Sequence, residues 1–204
     1  KIKEPAFFAH TLALLGTFAQ SEFARFFPHE NVYFIEGASE YKPSFGRHNA
    51  SNVGAFAYGL MLRLNASSLY LLGLDFALDQ ASGHTHADAH AFAKQLSLEE
   101  STEVGGTIEY VKTIIKTKGN FAEEVFTTLP YEHMRQECNL FSFLFKTSQH
   151  TIYNLSEGAF INETSPLRPD EIDTSSLPPQ EKESLYRELH SHLDTQSEKR
   201  LTPT

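Results

Sequence analysis

The chain has 204 residues, 40% of them hydrophobic and 21% charged, with a formal net charge of −9. That composition is globular rather than disordered, and the length suffices to bury a core as one domain plus an appendage. The acidic balance argues against a nucleic-acid binder, which needs a basic face to meet phosphates, but a single nucleotide phosphate can still be held by backbone N–H groups.

Cys138 is the sole cysteine. It permits no internal disulfide, which fits a reducing cytoplasm. The start Lys1-Ile2-Lys3-Glu4-Pro5 has neither a signal-peptide pattern nor an initiating Met, and reads as a cut start inside a longer protein. No apolar run reaches the roughly 18 residues that suggest a membrane span. Asn49, Asn65, Asn154 and Asn162 each open an Asn-x-Ser/Thr triplet, the acceptor pattern for N-glycosylation. The single cysteine and the missing signal peptide weigh against secretion, so a cytoplasmic location is expected.

Residues 1–30 are dominated by Phe, Ala and Leu. They read as a buried strand followed by helix, or as helix throughout, because periodicity does not separate the two. Val32 to Ile35 is a short β-prone run, and Gly37 to Asn49 is a polar loop. Ser51 or Asn52 can cap a helix over Val53 to Leu64, whose small residues Gly54, Ala55, Ala57 and Gly59 suit close packing on a flat surface. Leu69 to Leu72 is a continuous apolar run of the kind found in buried parallel strands, and it ends in Gly73-Leu74-Asp75. Helix, strand, then polar loop reads as half of a βαβ unit and places the chain among α/β folds. A His-rich loop, His84 to His90, is expected to lead into a helix through Leu96. Ile108 to Ile115 is strand-like. Phe121 to Leu129 and Tyr131 to Lys146 read as two helices divided by Pro130, and Thr151 to Leu155 as another strand. Ser165 to Pro179 reads as a linker and Glu181 to Leu193 as a charged helix.

Four segments carry candidate chemistry. In open α/β sheets, ligands bind outside the carboxyl ends of the strands. Gly73 lets a ligand approach the backbone there, and Asp75 can accept hydrogen bonds from a ribose or base; a strand-to-turn Asp is the ordinary alternative. Ser51-Asn52 at a helix start can offer N–H groups to a phosphate, or can simply cap the helix. His84, His86, His90 and Asp88 lie within seven positions. Such a cluster can bind zinc, supply an acid or base, or form a solvated capping loop. A zinc site would want a distant fourth ligand, with only Cys138 on offer, so a structural metal is not expected. Asn154-Leu155-Ser156-Glu157-Gly158-Ala159 is good turn chemistry, or a second polar loop on the same rim.

In this order the segments resemble the motility accessory factor (Maf) family of flagellin glycosyltransferases. That family shows a helix opening near Ser/Gly-x-Val, a strand ending Gly-Gln-Asp-Leu-Ala, a Thr-His-Ala loop and a later strand ending Asn-Ala-Thr-Glu-Gly-Gly-Ala. Here stand Ser51-Asn52-Val53, Leu72-Gly73-Leu74-Asp75-Phe76-Ala77, Thr85-His86-Ala87 and Tyr153-Asn154-Leu155-Ser156-Glu157-Gly158-Ala159, within roughly residues 31–165. The same stretch is similar to small bacterial CMP-sialic-acid-dependent sialyltransferases. Asn52 stands where their helix-start Gly falls, Ala77 where their first phosphate-binding Tyr falls, and His86 near their second.

The resemblance implies a Rossmann-like, partly parallel sheet flanked by helices. Residues 1–165 would be the C-terminal half of a transferase domain, 166–179 a linker and 180–204 a helical extension. It implies transfer of a nonulosonic acid, such as pseudaminic or legionaminic acid, from a CMP-activated donor to Ser/Thr of flagellin, in support of flagellar assembly and motility. Flagellin and the nucleotide sugar would be its partners, with divalent-metal dependence and oligomeric state left open. On that reading His86 holds phosphate or acts as the base, with Glu157 the alternative base. Ser51, Asn52, Val53, Gly73, Asp75, His84, Thr85, Asn154, Ser156 and Gly158 would contact substrate. The strand and loop that normally complete a nucleotide site are missing, so activity of this stretch alone stays open. A pterin diphosphokinase group sharing the Gly-x-Asp region, and a non-catalytic flagellin-binding module, are the alternatives.

Overall fold

The computed structural model describes residues 8–17, 19–37, 47–86, 93–101, 110, 112–173, 175 and 181–196. It is mixed α/β, with short parallel and antiparallel sheets, and falls into two compact units: Lys1–Asn49 with Asp173–Thr204, and Ala50–Ile172. Among the described residues no helix is long and apolar enough to cross a membrane.

In the first unit, β1 (Ala13–Gly16) pairs in parallel with β2 (Val32–Ile35), Ala13 opposite Val32 and Gly16 opposite Ile35. A one-turn helix, α1 (Ser21–Ala24), lies between them in the chain. Within the described residues, the opening Phe/Ala/Leu stretch is thus a strand and then a short helix. The C-terminal helix Lys182–Gln196 (α4) belongs to the same unit. Polar bonds tie it down: Tyr186 donates to Asn31 Oδ1 (2.7 Å) and Tyr33 donates to Asp194 Oδ1 (3.0 Å).

The second unit is built on a parallel sheet of β3 (Ser68–Leu71), β6 (Thr151–Asn154) and the two-residue β7 (Ser165–Pro166), in the order β3-β6-β7. A hairpin of β4 (Ile114–Lys118) and β5 (Glu124–Thr128) lies between β3 and β6 in the chain. Two helices supply the apolar partners. In α2 (Val53–Arg63), Asn52 caps the start by accepting from Ala55 N (2.9 Å). Its end is a Schellman motif: Asn65 takes the left-handed conformation (φ 58°), and Asn65 N and Ala66 N reach back to the Leu62 and Met61 carbonyls. The second, α3, spans Leu129–Phe145. Ala55, Tyr58 and Leu62 of α2, Leu69 and Leu71 of β3, Val125 of β5, Cys138 and Phe141 of α3 and Ile152 of β6 form one buried cluster.

Several expected boundaries move. The helix expected over Phe121–Leu129 is strand β5, whose Val125 and Thr127 face inward at period two. Pro130 does not divide two helices. It sits in the first turn of α3, where its missing N–H has no helical partner to lose. The strand expected over Ile108–Ile115 begins only at Ile114 and runs on to Lys118, because Ile114 to Lys118 pair across from Glu124 to Thr128. Part of that expected strand, residues 108, 109 and 111, lies outside the described residues. So do 87–92, which cover the end of the His-rich loop and the start of the helix expected through Leu96; the described 93–96 are not helical, and Gln95 instead bridges antiparallel to His84. The linker expected from Ser165 begins with β7 and a 3-10 turn at Pro169–Glu171.

Candidate functional site

Parallel pairing sets Leu71 beside Asn154, so β3 and β6 leave the sheet at the same end. The loops that follow are bonded backbone to backbone. Leu155 N donates to Leu71 O (2.9 Å) and Ala159 N donates to Asp75 O (2.7 Å). Gly158 passes so close that a β-carbon there would lie 2.1 Å from Asp75 O. The start of α2 joins the same rim, since a β-carbon on Gly54 would lie 2.3 Å from Leu74 Cδ2. The tip of the β4–β5 hairpin closes it from the other side. Asn120 N donates to Gly158 O (2.8 Å), and its Nδ2 donates to the carbonyls of Asn154 (2.9 Å) and Ser156 (2.8 Å).

The loop from Asp75 to His86 is pinned along its length. Thr127 Oγ1 donates to Phe76 O (2.7 Å), and Leu78 N donates to Phe126 O (2.9 Å). Asp79 Oδ1 accepts from Ala81 N, Ser82 N and Ser82 Oγ, and these bonds hold its carboxyl below the usual range. Gly83 supplies the positive φ (74°) that lets the loop turn back. Thr85 N donates to Lys94 O (2.9 Å), and Lys94 N donates to Thr85 Oγ1 (3.0 Å). Tyr131, in the first turn of α3, donates its hydroxyl to Thr85 O (2.6 Å). His86 Nδ1 lies 3.1 Å from Thr85 Oγ1 and 3.4 Å from Tyr131 Oη, with the two rings edge to face. Burial first, and the charge of Asp75 in addition, push the Tyr131 hydroxyl above its usual value, so it stays a proton donor at neutral pH.

Thr85 and His86 are therefore gathered around Tyr131, while Gly73, Asp75 and Gly158 line the strand-end rim. Gly73 has φ 78° with open space around it, and Asp75 and His86 are exposed. Other expected residues serve elsewhere. Ser51 N (3.0 Å) and Ser51 Oγ both donate to Glu137 Oε2, so a carboxylate already occupies the helix start where a phosphate was expected. Asn52 Oδ1 is spent on the cap, and Val53 points outward at 82% exposure. Asn154 is fully buried, accepting from Ser156 N and donating to Ala159 O, which also removes it as a glycosylation acceptor. Ser156 is buried, and its hydroxyl makes no hydrogen bond among the described residues. Glu157 is exposed and ion-paired with Arg168 (3.0 Å). His84 is part of the bridge to Gln95. His90 and Asp88 lie outside the described residues. Cys138 is fully buried in the core, where burial pushes its thiol up to about 12, so it is no partner for the His loop.

Comparison of the chain with protein-family models, with curated proteins and with solved structures finds no match. Sequence reasoning missed three residues here: Tyr131, Asn120 and Glu137. Tyr131 was hidden by the reading of Pro130 as a helix divider, although Thr-x-Pro at a strand end is a recognisable helix start. Asn120 sits in a Gly-Asn turn that signals a hairpin. Glu137 carried no local signal. In the first unit, a cavity of about 750 Å³ lies between α4 and the segment before β2, lined by His10, Asn31, Tyr186 and His190 among others.

Proposed function

We propose that this chain is the sheet-rim part of a Rossmann-like glycosyltransferase that moves a nonulosonic acid, such as pseudaminic or legionaminic acid, from a CMP donor to Ser/Thr of flagellin. The observation that supports this reading is the joining of Gly73–Asp75 to Asn154–Gly158 at the carboxyl end of two parallel strands, with His86 and Tyr131 in contact on the loop that follows Asp75. Ligands of open α/β sheets bind at such an edge. A surface meant only for docking would need aromatic or Arg anchors in place of a convergent polar rim.

In the proposed reaction the acceptor oxygen bonds to the anomeric carbon of the sugar. The bond from that carbon to the CMP phosphate oxygen breaks, and CMP leaves with the electron pair. His86 takes the acceptor proton. Asp75 accepts a hydroxyl or base hydrogen bond from the nucleotide. Glu157 is the weaker choice of base, since its carboxylate is held by Arg168. The presence of Glu137 at the start of α2 moves the phosphate away from Ser51, toward the His86 side of the rim.

Calorimetry with CMP, ATP and GTP tests the nucleotide assignment. CMP should bind most tightly, and Asp75→Asn should weaken it about tenfold or more, the worth of one charge-assisted hydrogen bond. Equal affinity for ATP, or none for CMP, would favour a diphosphokinase. In cells, His86→Ala at normal abundance should leave flagellin at its unmodified mass.

A further inference from the structure

We infer that the backbone N–H of Glu157 is a ligand-binding donor, aimed across the rim toward residues 72–74 and set to take a ribose hydroxyl; the ligand rests on the nucleotide reading above, whereas the direction of the N–H does not. In a trans peptide the N–H of one residue points opposite to the C=O of the residue before it. Where the carbonyls of a loop go therefore fixes where its N–H groups go.

One buried residue collects the carbonyls of the second rim loop. Asn120 Nδ2 donates to Asn154 O (2.9 Å) and Ser156 O (2.8 Å), and Asn120 N donates to Gly158 O (2.8 Å). Among the described residues no peptide is cis. The N–H groups of Leu155, Glu157 and Ala159 therefore all point away from Asn120, toward the segment that follows β3. Two of the three have partners there: Leu155 N donates to Leu71 O (2.9 Å) and Ala159 N donates to Asp75 O (2.7 Å). Glu157 N lies between them and has no hydrogen-bond acceptor among the described residues. The stretch it faces includes Gly73, whose φ is 78° and whose β-carbon position has nothing within 4 Å. An unused donor and open space thus coincide.

The surroundings select the oxygen. Asp75 is exposed on the same rim, and among the described residues no cation pairs with it. Its charge disfavours an anionic oxygen beside the Glu157 N–H. A hydroxyl is neutral, and it can accept from the N–H while donating to a carboxylate such as Asp75. A base carbonyl could only accept. A ribose at this point leaves the phosphate to the His86 side of the rim.

Amide hydrogen exchange of the full chain reads the assignment directly. In the free protein the amides of Leu155 and Ala159 should be protected, and that of Glu157 should exchange about tenfold faster or more. Saturating cytidine should slow Glu157 exchange about tenfold or more, and 2′,3′-dideoxycytidine, which lacks both ribose hydroxyls, should not. Glu157→Pro removes the N–H and Glu157→Ala keeps it, so cytidine should bind the first about tenfold more weakly than the second. Protected Leu155 and Ala159 amides certify the fold of each variant. A Glu157 amide already protected in the free chain overturns the inference. So does bound cytidine that leaves its exchange unchanged, or equal slowing by dideoxycytidine. Slowing by adenosine and not by cytidine overturns the cytidine reading and leaves the N–H assignment standing. Binding of neither nucleoside overturns both.

Discussion

At Gly158 the side chain that is absent decides the packing. Any β-carbon there meets the Asp75 carbonyl at 2.1 Å, a backbone atom that cannot swing aside. Gly158→Ala should therefore cost roughly 3 kcal/mol, at the high end of overpacking, and lower the urea midpoint accordingly. At Gly54 the obstacles are side-chain atoms, the end of Leu74 at 2.3 Å and the capping Asn52 Oδ1 at 3.2 Å, and Gly54→Ala should be milder. Glu132 shows the opposite balance. Burial pushes its carboxyl up, but hydrogen bonds from Arg135 and Gln136 and the Arg135 charge outweigh this and hold it below the usual value. A lowered folded-state value means the stabilisation is complete above the unfolded value, about 4.3, and is lost as pH falls through the folded one. Urea midpoints should drop over that acid range in wild type, and the drop should shrink in Glu132→Gln. The glycine after Ser-Glu was readable as a turn signal, but the closeness of Asp75 was not, because the two residues lie in loops that follow separate strands.

At the scale of elements, capping explains where the two main helices start. Asn52→Ala removes the bond to Ala55 N and should lower stability by about 1 kcal/mol, measured as a shift in the melting midpoint. Thr128 caps α3 in the same way. The α2 start was legible because Asn, then a helical run of small and apolar residues, is a local signal. The β4–β5 hairpin was not. Val125, Phe126, Thr127 and Thr128 favour a strand, a local signal outweighed by reading Pro130 as a helix divider, and pairing with Ile114 to Lys118 settles the segment as β5.

At the scale of the molecule, the apolar cluster joining α2, β3, β5, α3 and β6 lies wholly within the second unit. A fragment spanning Ala50–Ile172 is expected to fold alone and melt cooperatively; a gradual, non-cooperative melt would mean that this core needs the rest of the chain. Cys138 at the centre of that core offers a second readout. With its thiol buried and pushed up to about 12, the native protein should resist alkylation at pH 8 and react fully once unfolded.

By itself the sequence determined the α/β character, the helix over Val53–Arg63, the strands near Ser68–Leu71 and Thr151–Asn154, and the polar loops after them. Each is set by periodicity, caps and turn residues within a few positions of chain. Tertiary structure alone decided that those two strands are neighbours, that Tyr131 meets His86, and that Glu137 takes the helix start from Ser51. Those pairs are separated by 45 residues or more in the chain. Contacts at that separation depend on how elements pack, which no local pattern encodes, because the free energy that selects them comes from burying one shared core.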